Sequence, residues 1–270
     1  MEVFGNDLIL GEFRLSDHGM MLASFEYNGA SEDNIGMTRS TIEEFLGDNP
    51  VPVYLGDKYT DKIRPQITIV KNPCMYSDDK MHFSEKECRN IFRTMTGMRG
   101  YQWMKVINDS DEDDIWFRAK INDINVQKIN GVVYGIILIM ECDSCFGWSN
   151  ETNIDLNFKA NKSIKIYSNT DDLHNYIYPV VKITATSDGI LQLTNITDNQ
   201  LTEIKNIKKD EVITINSKNE IISSSMSHDL LLDDFNLKWI KLLPDENEFV
   251  TNQDMRITFS YRVPRKVVML

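Results

Sequence analysis

Apolar and polar residues alternate along much of this 270-residue chain, which is the spacing of half-buried β-strands. In the first half, residues 63–71 and residues 115–126 alternate in this way, and each segment predicts a strand. The dipeptide Asn130–Gly131 predicts a tight hairpin turn, because both residues tolerate the left-handed backbone that such turns require. The run over residues 132–142 is apolar on both faces and predicts a central strand of the first half.

One segment of the first half has helical spacing. Ser84 is followed three residues later by Glu87, and this pair predicts a capping box at a helix N-terminus. The apolar residues that follow recur on one helical face: Cys88, Ile91, Phe92 and Met95. Residues 84–99 are therefore predicted to form a helix that packs its apolar face on a sheet.

The second half is predicted to be a series of short strands without a helix. Two alternating runs meet at Asp188–Gly189, and Ser217–Asn219 marks a hairpin. Residues 255–262 place large apolar side chains on one face and polar side chains on the other. Short strands at regular spacing, separated by turn residues, are typical of an antiparallel β-sandwich.

The predicted fold class is mainly β with two domains. The polar stretch over residues 149–153 is the predicted linker. We therefore expect a first β domain with one packed α-helix over residues 1–150, and an antiparallel β-sandwich over residues 151–270.

The net charge of the chain limits the classes of partner that it can bind. Its formal net charge is −12, and a surface this acidic repels phosphate backbones, so no specific nucleic-acid binding is expected.

The longest apolar run, over residues 132–140, is far shorter than the roughly 20 residues that span a bilayer, so no membrane partner is expected. The N-terminal residues lack a basic segment followed by an apolar run, and no signal peptide is expected.

Cysteine and carboxylate spacing does not predict a metal site. Cys142 and Cys145 form a C-x-x-C pair, but no second pair or histidine pair follows at zinc spacing, so both are interpreted as structural. The acidic run contains Asp111, Glu112, Asp113 and Asp114. It fails as a calcium loop, because an aspartate occupies the glycine position and a lysine the position of the bidentate glutamate. We interpret it as a solvated loop.

The sequence also lacks the usual signs of an enzyme. Residues 223–229 bring serines, His228 and Asp229 close in sequence, but catalytic triads are assembled from separated loops around an oxyanion hole. Phosphate-binding glycine loops, dinucleotide fingerprints and nucleophile elbows are missing from the sequence. We expect no enzymatic activity and no cofactor.

A tryptophan provides one candidate binding residue. A β-sandwich can bind a sugar by stacking it on an aromatic ring, and Trp239 is the candidate carbohydrate platform. Its alternation with Phe235 and Leu237 favours a strand in which all three side chains face the core instead. Carbohydrate binding that anchors a particle to a host cell wall is therefore the alternative to a purely structural function.

The order of segments resembles the distal tail protein family of long-tailed bacteriophages, the siphophage tail component called Dit. In the first half the matching pieces are FGNDLILGEFRLSDHGMMLASFEYNG, PVYLGDKYTDKIRPQITIVKNP, the predicted helix and GVVYGIILIMECDSCFGWS. In the second half they are YPVVKITATSDGILQLTNITDN, EVITINSKNEIISS, LDDFNLKWIKLLPDENEFVTN and ITFSYRVPRKV. The resemblance covers nearly the whole chain.

The resemblance implies a barrel-like first domain and a galectin-like second domain. It also implies a homo-hexameric ring in the virion tail tip, assembled in the cytoplasm of the bacterial host. This ring joins the tail tube protein to a hub or fibre protein. The sugar-binding pattern of true galectins is absent, since His174 is followed by NYIYP and Trp239 by IKLL. In such a ring, an acidic loop at Asp111–Asp114 would line the lumen and not hold passing DNA.

Overall fold

The structure is a computed structural model that describes residues 5–23, 39–47, 50–107, 115–228 and 230–266. The chain divides into two compact units, one comprising Met1–Gly147 with Lys266–Leu270 and the other Trp148–Arg265. Both units are built from antiparallel sheets, which confirms the predicted mainly β class. In the described residues, only one helix is longer than a single turn.

The strands up to the unit boundary are β1 (Asp7–Leu10), β2 (Phe13–Arg14), β3 (Met20–Leu22), β4 (Arg39–Glu44), β5 (Val53–Tyr59), β6 (Gln66–Lys71), β7 (Gln102–Ile107), β8 (Phe117–Ile129), β9 (Val132–Cys142) and β10 (Gly147–Trp148). Seven of them form one sheet in the order β2-β1-β7-β8-β9-β6-β3. Of the three that remain, β4 and β5 form a separate two-stranded hairpin, and β10 belongs to another two-stranded sheet.

The strand predicted to be central lies in the interior of the sheet, and its predicted turn is confirmed. Strand β9 lies between β8 and β6, and its inward residues are completely buried from Ile136 to Met140. Ile129 pairs with Val132, so Asn130 and Gly131 alone make the turn, with φ angles of 50° and 82°. These are the left-handed conformations that a type I′ hairpin turn requires.

The predicted helix is α1 (Glu85–Gly97). Its capping box is formed in both directions, because the Ser84 hydroxyl accepts from the backbone N–H of Glu87 while the Glu87 carboxylate accepts from the backbone N–H of Ser84. Cys88 and Met95 are buried in the core of the first unit, and Ile91 and Phe92 pack against that core. The helix therefore covers one face of the sheet, as its spacing predicts.

The second unit is an antiparallel β-sandwich, as predicted. Its strands are β11 (Thr152–Phe158), β12 (Ser163–Ser168), β13 (Val180–Ala185), β14 (Gly189–Asn195), β15 (Gln200–Ile207), β16 (Val212–Asn216), β17 (Ile221–Ser224), β18 (Asp245–Thr251), β19 (Met255–Tyr261) and β20 (Pro264–Arg265). One sheet has the order β11-β19-β13-β16-β17, and the other has the order β12-β18-β14-β15. The chain changes sheets between β13 and β14, at the predicted turn around Asp188–Gly189.

The sandwich core follows the predicted alternation of β19. Its inward residues Met255, Ile257, Phe259 and Tyr261 are all buried. Across the core, Phe249 of β18 lies 5.3 Å from Phe259, measured between ring centroids. The two sheets therefore bury a continuous apolar layer between them.

Two expectations for the second half are wrong. A short helix, α2 (Leu231–Asp234), is present where none was expected. Residues 236–240 do not form the expected strand, because Leu237 adopts a left-handed φ of 56° and its side chain is 57% exposed. A left-handed residue reverses the local chain direction, so period-two alternation does not apply from Phe235 to Trp239.

The helices in the described ranges are all too short or too polar to cross a bilayer.

Candidate functional site

Of the predicted site residues, only Trp239 lies in the part of the chain that the structure describes. The acidic loop, with Asp111, Glu112, Asp113 and Asp114, falls outside the described residues. Trp239 is described, and it is half-buried at the edge of the sandwich core. Its ring meets that of Phe235 edge to face at 4.9 Å, and its backbone carbonyl accepts a hydrogen bond from the Gln200 side chain.

Trp239 lines a surface hollow of about 280 Å³ in the second unit. The hollow is assembled from the turn between β16 and β17, the start of β15, and the irregular segment after α2. Its lining residues are mainly aromatic, cationic and neutral polar, with one carboxylate and one aliphatic side chain: Tyr178, Gln200, Ser217, Lys218, Glu220, Leu237, Lys238, Trp239 and Lys241. The sequence analysis assigned a binding role only to Trp239 in this set, because the segments that form the hollow are separated along the chain.

Two lysines of the hollow are held in place. The Lys241 ammonium lies 3.1 Å from Asp198 Oδ2 and 4.0 Å from the centroid of the Tyr176 ring. Burial opposes the charge on Lys241, but the Asp198 carboxylate outweighs it and raises the pKa of the lysine. Lys218 lies over the Trp148 ring at 5.7 Å. Neighbouring side chains therefore position both ammonium groups at the hollow.

A second polar cluster is buried in the same unit. Glu211 is completely buried, and its Oε1 lies 2.5 Å from both His228 Nε2 and Ser224 Oγ. The other ring nitrogen of His228 lies 3.2 Å from Asp234 Oδ2. The serine and the histidine thus both bind the carboxylate. In a catalytic triad, by contrast, the histidine lies between the serine and the carboxylate. This geometry stabilises charge and does not activate a nucleophile.

The cysteines of the C-x-x-C pair are buried, with 1% of Cys142 and 4% of Cys145 exposed. Burial, assisted by the negative charges of Asp143 and Glu141, raises the pKa of Cys142 to about 12. A thiol with such a pKa is a poor metal ligand and a poor nucleophile at neutral pH. In the described parts of the chain, no three histidine, cysteine or carboxylate residues are grouped as a metal site would require.

The hairpin of β4 and β5 exposes several large apolar side chains of the first unit. Among the described residues, its strands are hydrogen-bonded in register to each other alone. Large apolar side chains that are 40–63% exposed lie on it: Ile42, Phe45, Leu46, Val53, Tyr54 and Leu55. The Tyr59 ring at its base contacts Phe146 edge to face at 5.1 Å.

An apolar groove of about 650 Å³ lies elsewhere on the same unit, between α1 and the turn of β8 and β9. Phe83, Phe92, Val126, Val132 and Val133 are its apolar lining residues. Neither this groove nor the exposed hairpin was predicted from the sequence. The sequence does contain a sign of the exposed hairpin. Aromatic and aliphatic residues are frequent in this segment, although their spacing matches neither a core strand nor a core helix.

Solved structures of phage proteins share this fold across almost the whole chain. The chain matches the crystal structure titled "SPP1 Dit (gp 19.1) Protein, a Paradigm of Hub Adsorption Apparatus in Gram-positive Infecting Phages" with a TM-score of 0.62 and 11% identity. The match covers 95% of this chain and 98% of that one. A chain of the activated phage P2 baseplate with calcium matches with a TM-score of 0.52 and 7% identity, over 97% of this chain and 99% of that one.

A chain of the activated phage p2 baseplate with strontium gives the same TM-score of 0.52, with 8% identity and coverage of 98% and 100%. A search of curated proteins found no match. Two family models match the sequence itself, a phage tail protein N-terminal domain over residues 4–144 and a phage tail C-terminal domain over residues 146–261. Together they span nearly the whole chain, and the protein therefore belongs to this family of phage tail proteins.

Proposed function

We propose that six copies of this chain close into a ring at the tail tip of a virion. The ring joins the tail tube protein on one side to a tail-associated hub or fibre protein on the other, and it is assembled in the cytoplasm of the bacterial host. The chain acts as a structural component and catalyses no reaction. Full-length similarity to a Dit hub protein and to baseplate chains supports this assignment.

The observation that carries the proposal is the exposed apolar hairpin of β4 and β5. Monomeric soluble proteins rarely expose a contiguous apolar patch of this kind, because it favours association. A two-stranded hairpin is also only marginally stable by itself in water. Phe45 and Leu55, which are 63% and 57% exposed, would be covered by a neighbouring copy.

The groove between α1 and the β8–β9 turn is the proposed acceptor for that hairpin. Donor and acceptor then lie on different surfaces of the same unit, so the contact between copies is heterologous. A heterologous contact repeated by a rotation that closes produces a ring, whereas a two-fold contact would stop at a dimer. Phe92 and Val133 of the groove offer apolar area to the hairpin of the next copy.

The acidic loop has a proposed place in this ring. Asp111, Glu112, Asp113 and Asp114 would face the lumen, where negative charge repels the phosphates of passing DNA. Replacing all four by alanine should leave ring formation intact and slow DNA ejection from assembled particles. Unchanged ejection kinetics would argue against a lumen position.

Ring formation is the decisive test. The purified chain should form a six-fold annulus in negative-stain images, with a hexameric mass by size-exclusion chromatography and light scattering. The double variant Phe45→Ser/Leu55→Ser should be monomeric with an unchanged melting temperature. The matched control Met75→Ser, at a residue that is 63% exposed outside the hairpin, should still form rings. A wild-type chain that stays monomeric at high concentration, or a hairpin variant that still forms rings, would contradict the proposal.

A further inference from the structure

We propose that the hollow around Trp239 binds an anionic carbohydrate, meaning a sugar or polyol that carries a phosphate or carboxylate group. This inference goes beyond the structural role in the tail and does not depend on it, because the hollow lies within the second unit and the proposed contact between copies lies on the first. Its ligand would be part of a cell-surface polymer. Four features of the hollow carry the argument.

The size and the rings of the hollow suit a sugar. Its volume of about 280 Å³ is at the lower limit of typical ligand pockets, which hold about 300–1,000 Å³, and this favours one sugar residue over a larger ligand. Trp239 and Tyr178 both line it, and Tyr178 is 45% exposed. Their apolar ring surfaces can cover the C–H groups of a sugar or polyol while its hydroxyl groups reach the polar lining.

The charge of the hollow points to an anion. Lys218, Lys238 and Lys241 line it together, whereas Glu220 is its only carboxylate. This excess of positive charge stands out on a chain with a net charge of −12. Asp198 neutralises part of the charge of Lys241 but also holds that ammonium in place. Lysine ammonium groups bind phosphate and carboxylate oxygens through charge-assisted hydrogen bonds.

An unsatisfied hydroxyl group lies just below the surface of the hollow. Ser217 lines the hollow and is only 3% exposed, yet its Oγ has no hydrogen-bond partner in the structure. A buried hydroxyl without a partner costs free energy, on the order of 1–3 kcal/mol, so such groups are rare in folded proteins. Because the Oγ is closed to solvent, a rotation of the Ser217 side chain toward the hollow would let a ligand oxygen become its partner.

The acidic lining residue Glu220 favours a carbohydrate over a bare anion. The Glu220 carboxylate would repel free phosphate, but it can accept hydrogen bonds from sugar hydroxyl groups. Gln200 donates one amide N–H to the Trp239 carbonyl at 2.7 Å, and this bond positions the segment that carries the tryptophan. The lining is therefore matched to a molecule with both hydroxyl groups and a negative charge.

Ligand binding by the full chain tests the proposal. Titrations followed by ligand-observed NMR should detect glucose 1-phosphate and glucuronate at millimolar concentrations, and the tighter of the two identifies the preferred anionic group. Glucose and inorganic phosphate should each bind at least about 10-fold more weakly, since each lacks half of the recognised chemistry. Higher salt should weaken binding of the anionic sugars. Equal binding of glucose, or of phosphate alone, would overturn the proposal.

Two variants locate the site. Ser217→Ala should weaken binding about five-fold while leaving the melting temperature unchanged or raised, because it removes a hydroxyl that the unliganded fold does not satisfy. Lys238→Gln should weaken anionic sugars about 10-fold. The control Lys209→Gln removes an exposed lysine outside the hollow and should bind normally. Full binding by both hollow variants would exclude this site.

Discussion

His228 Nε2 lies 2.5 Å from Oε1 of Glu211, whose side chain is completely buried in the second unit. Burial works against ionisation of Glu211, but hydrogen bonds from Ser224, the Lys208 backbone and His228 outweigh it and lower the pKa of the carboxyl group. The hydrogen bond to Glu211 raises the pKa of His228, and Asp234 adds to this effect. The pair therefore holds a buried ionic contact that depends on pH.

The His228–Glu211 pair should make the stability of the second unit fall with rising pH. The pKa of His228 is raised above its ordinary 6.5, so the contact contributes fully below pH 6.5 and is lost as pH rises through the folded-state pKa. The melting temperature should therefore decline as pH rises above about 6.5. In His228→Gln this decline should be smaller, and the variant should lose about 2 kcal/mol at pH 6. An equally steep decline in the variant would show that another group is responsible.

The capping box of α1 should stabilise the first unit at neutral pH and lose this effect in acid. Burial works against ionisation of Glu87, but the Lys71 ammonium, 2.7 Å away, and the Ser84 hydroxyl and backbone lower its pKa to about 2. Its stabilisation is therefore present above pH 4.5 and is lost as pH falls toward 2. Ser84→Ala should cost about 1 kcal/mol in urea unfolding at neutral pH.

The matched variant Glu87→Gln separates the charge from the cap. Glutamine can still accept from the Ser84 backbone N–H, but it loses the ionic contact with Lys71. Its stability should therefore vary less than that of the wild type over the acid range. A variant with the same acid dependence would assign that dependence to other carboxylates.

The sequence predicts those parts of the fold whose signals are local. The cap at Ser84, the turn at Asn130–Gly131 and the alternation of β19 each depend on residues within one element, so pattern and structure agree. The segment around Leu237 could not be predicted, because nothing local in a leucine indicates a positive φ. The hollow was missed for a different reason. Ser217 and Trp239 are brought together only by the packing of the sandwich.

Two glycines with left-handed backbones should respond differently to alanine. Gly131 has a φ of 82° and open space where a Cβ would lie, so Gly131→Ala should cost only the backbone strain, about 1 kcal/mol. Gly19 has a φ of 67°, and an added Cβ would lie 2.7 Å from Tyr76 Oη. Gly19→Ala should cost at least about 2 kcal/mol, because the Tyr76 ring must also move away from the Lys71 ammonium.

Chemical denaturation of the two alanine variants measures this difference directly. Tyr76→Ala in the background of Gly19→Ala should recover part of the loss, and in the background of Gly131→Ala it should add its own cost in full. Equal costs for the two glycine variants would mean that the Tyr76 ring adapts without loss of packing energy.

Thiol titration should distinguish one cysteine from the other three. Cys74 is exposed, whereas Cys88, Cys142 and Cys145 are buried in the first unit, and burial raises the pKa of Cys142 to about 12. The thiolate is the reactive form, so an aromatic disulfide reagent at about pH 8 should modify Cys74 rapidly and the buried thiols only after denaturation. Cys74→Ser should abolish the rapid phase. Any rapid phase that remains in this variant would show that the core under α1 or at the end of β9 opens in the native state, contrary to the packing described above.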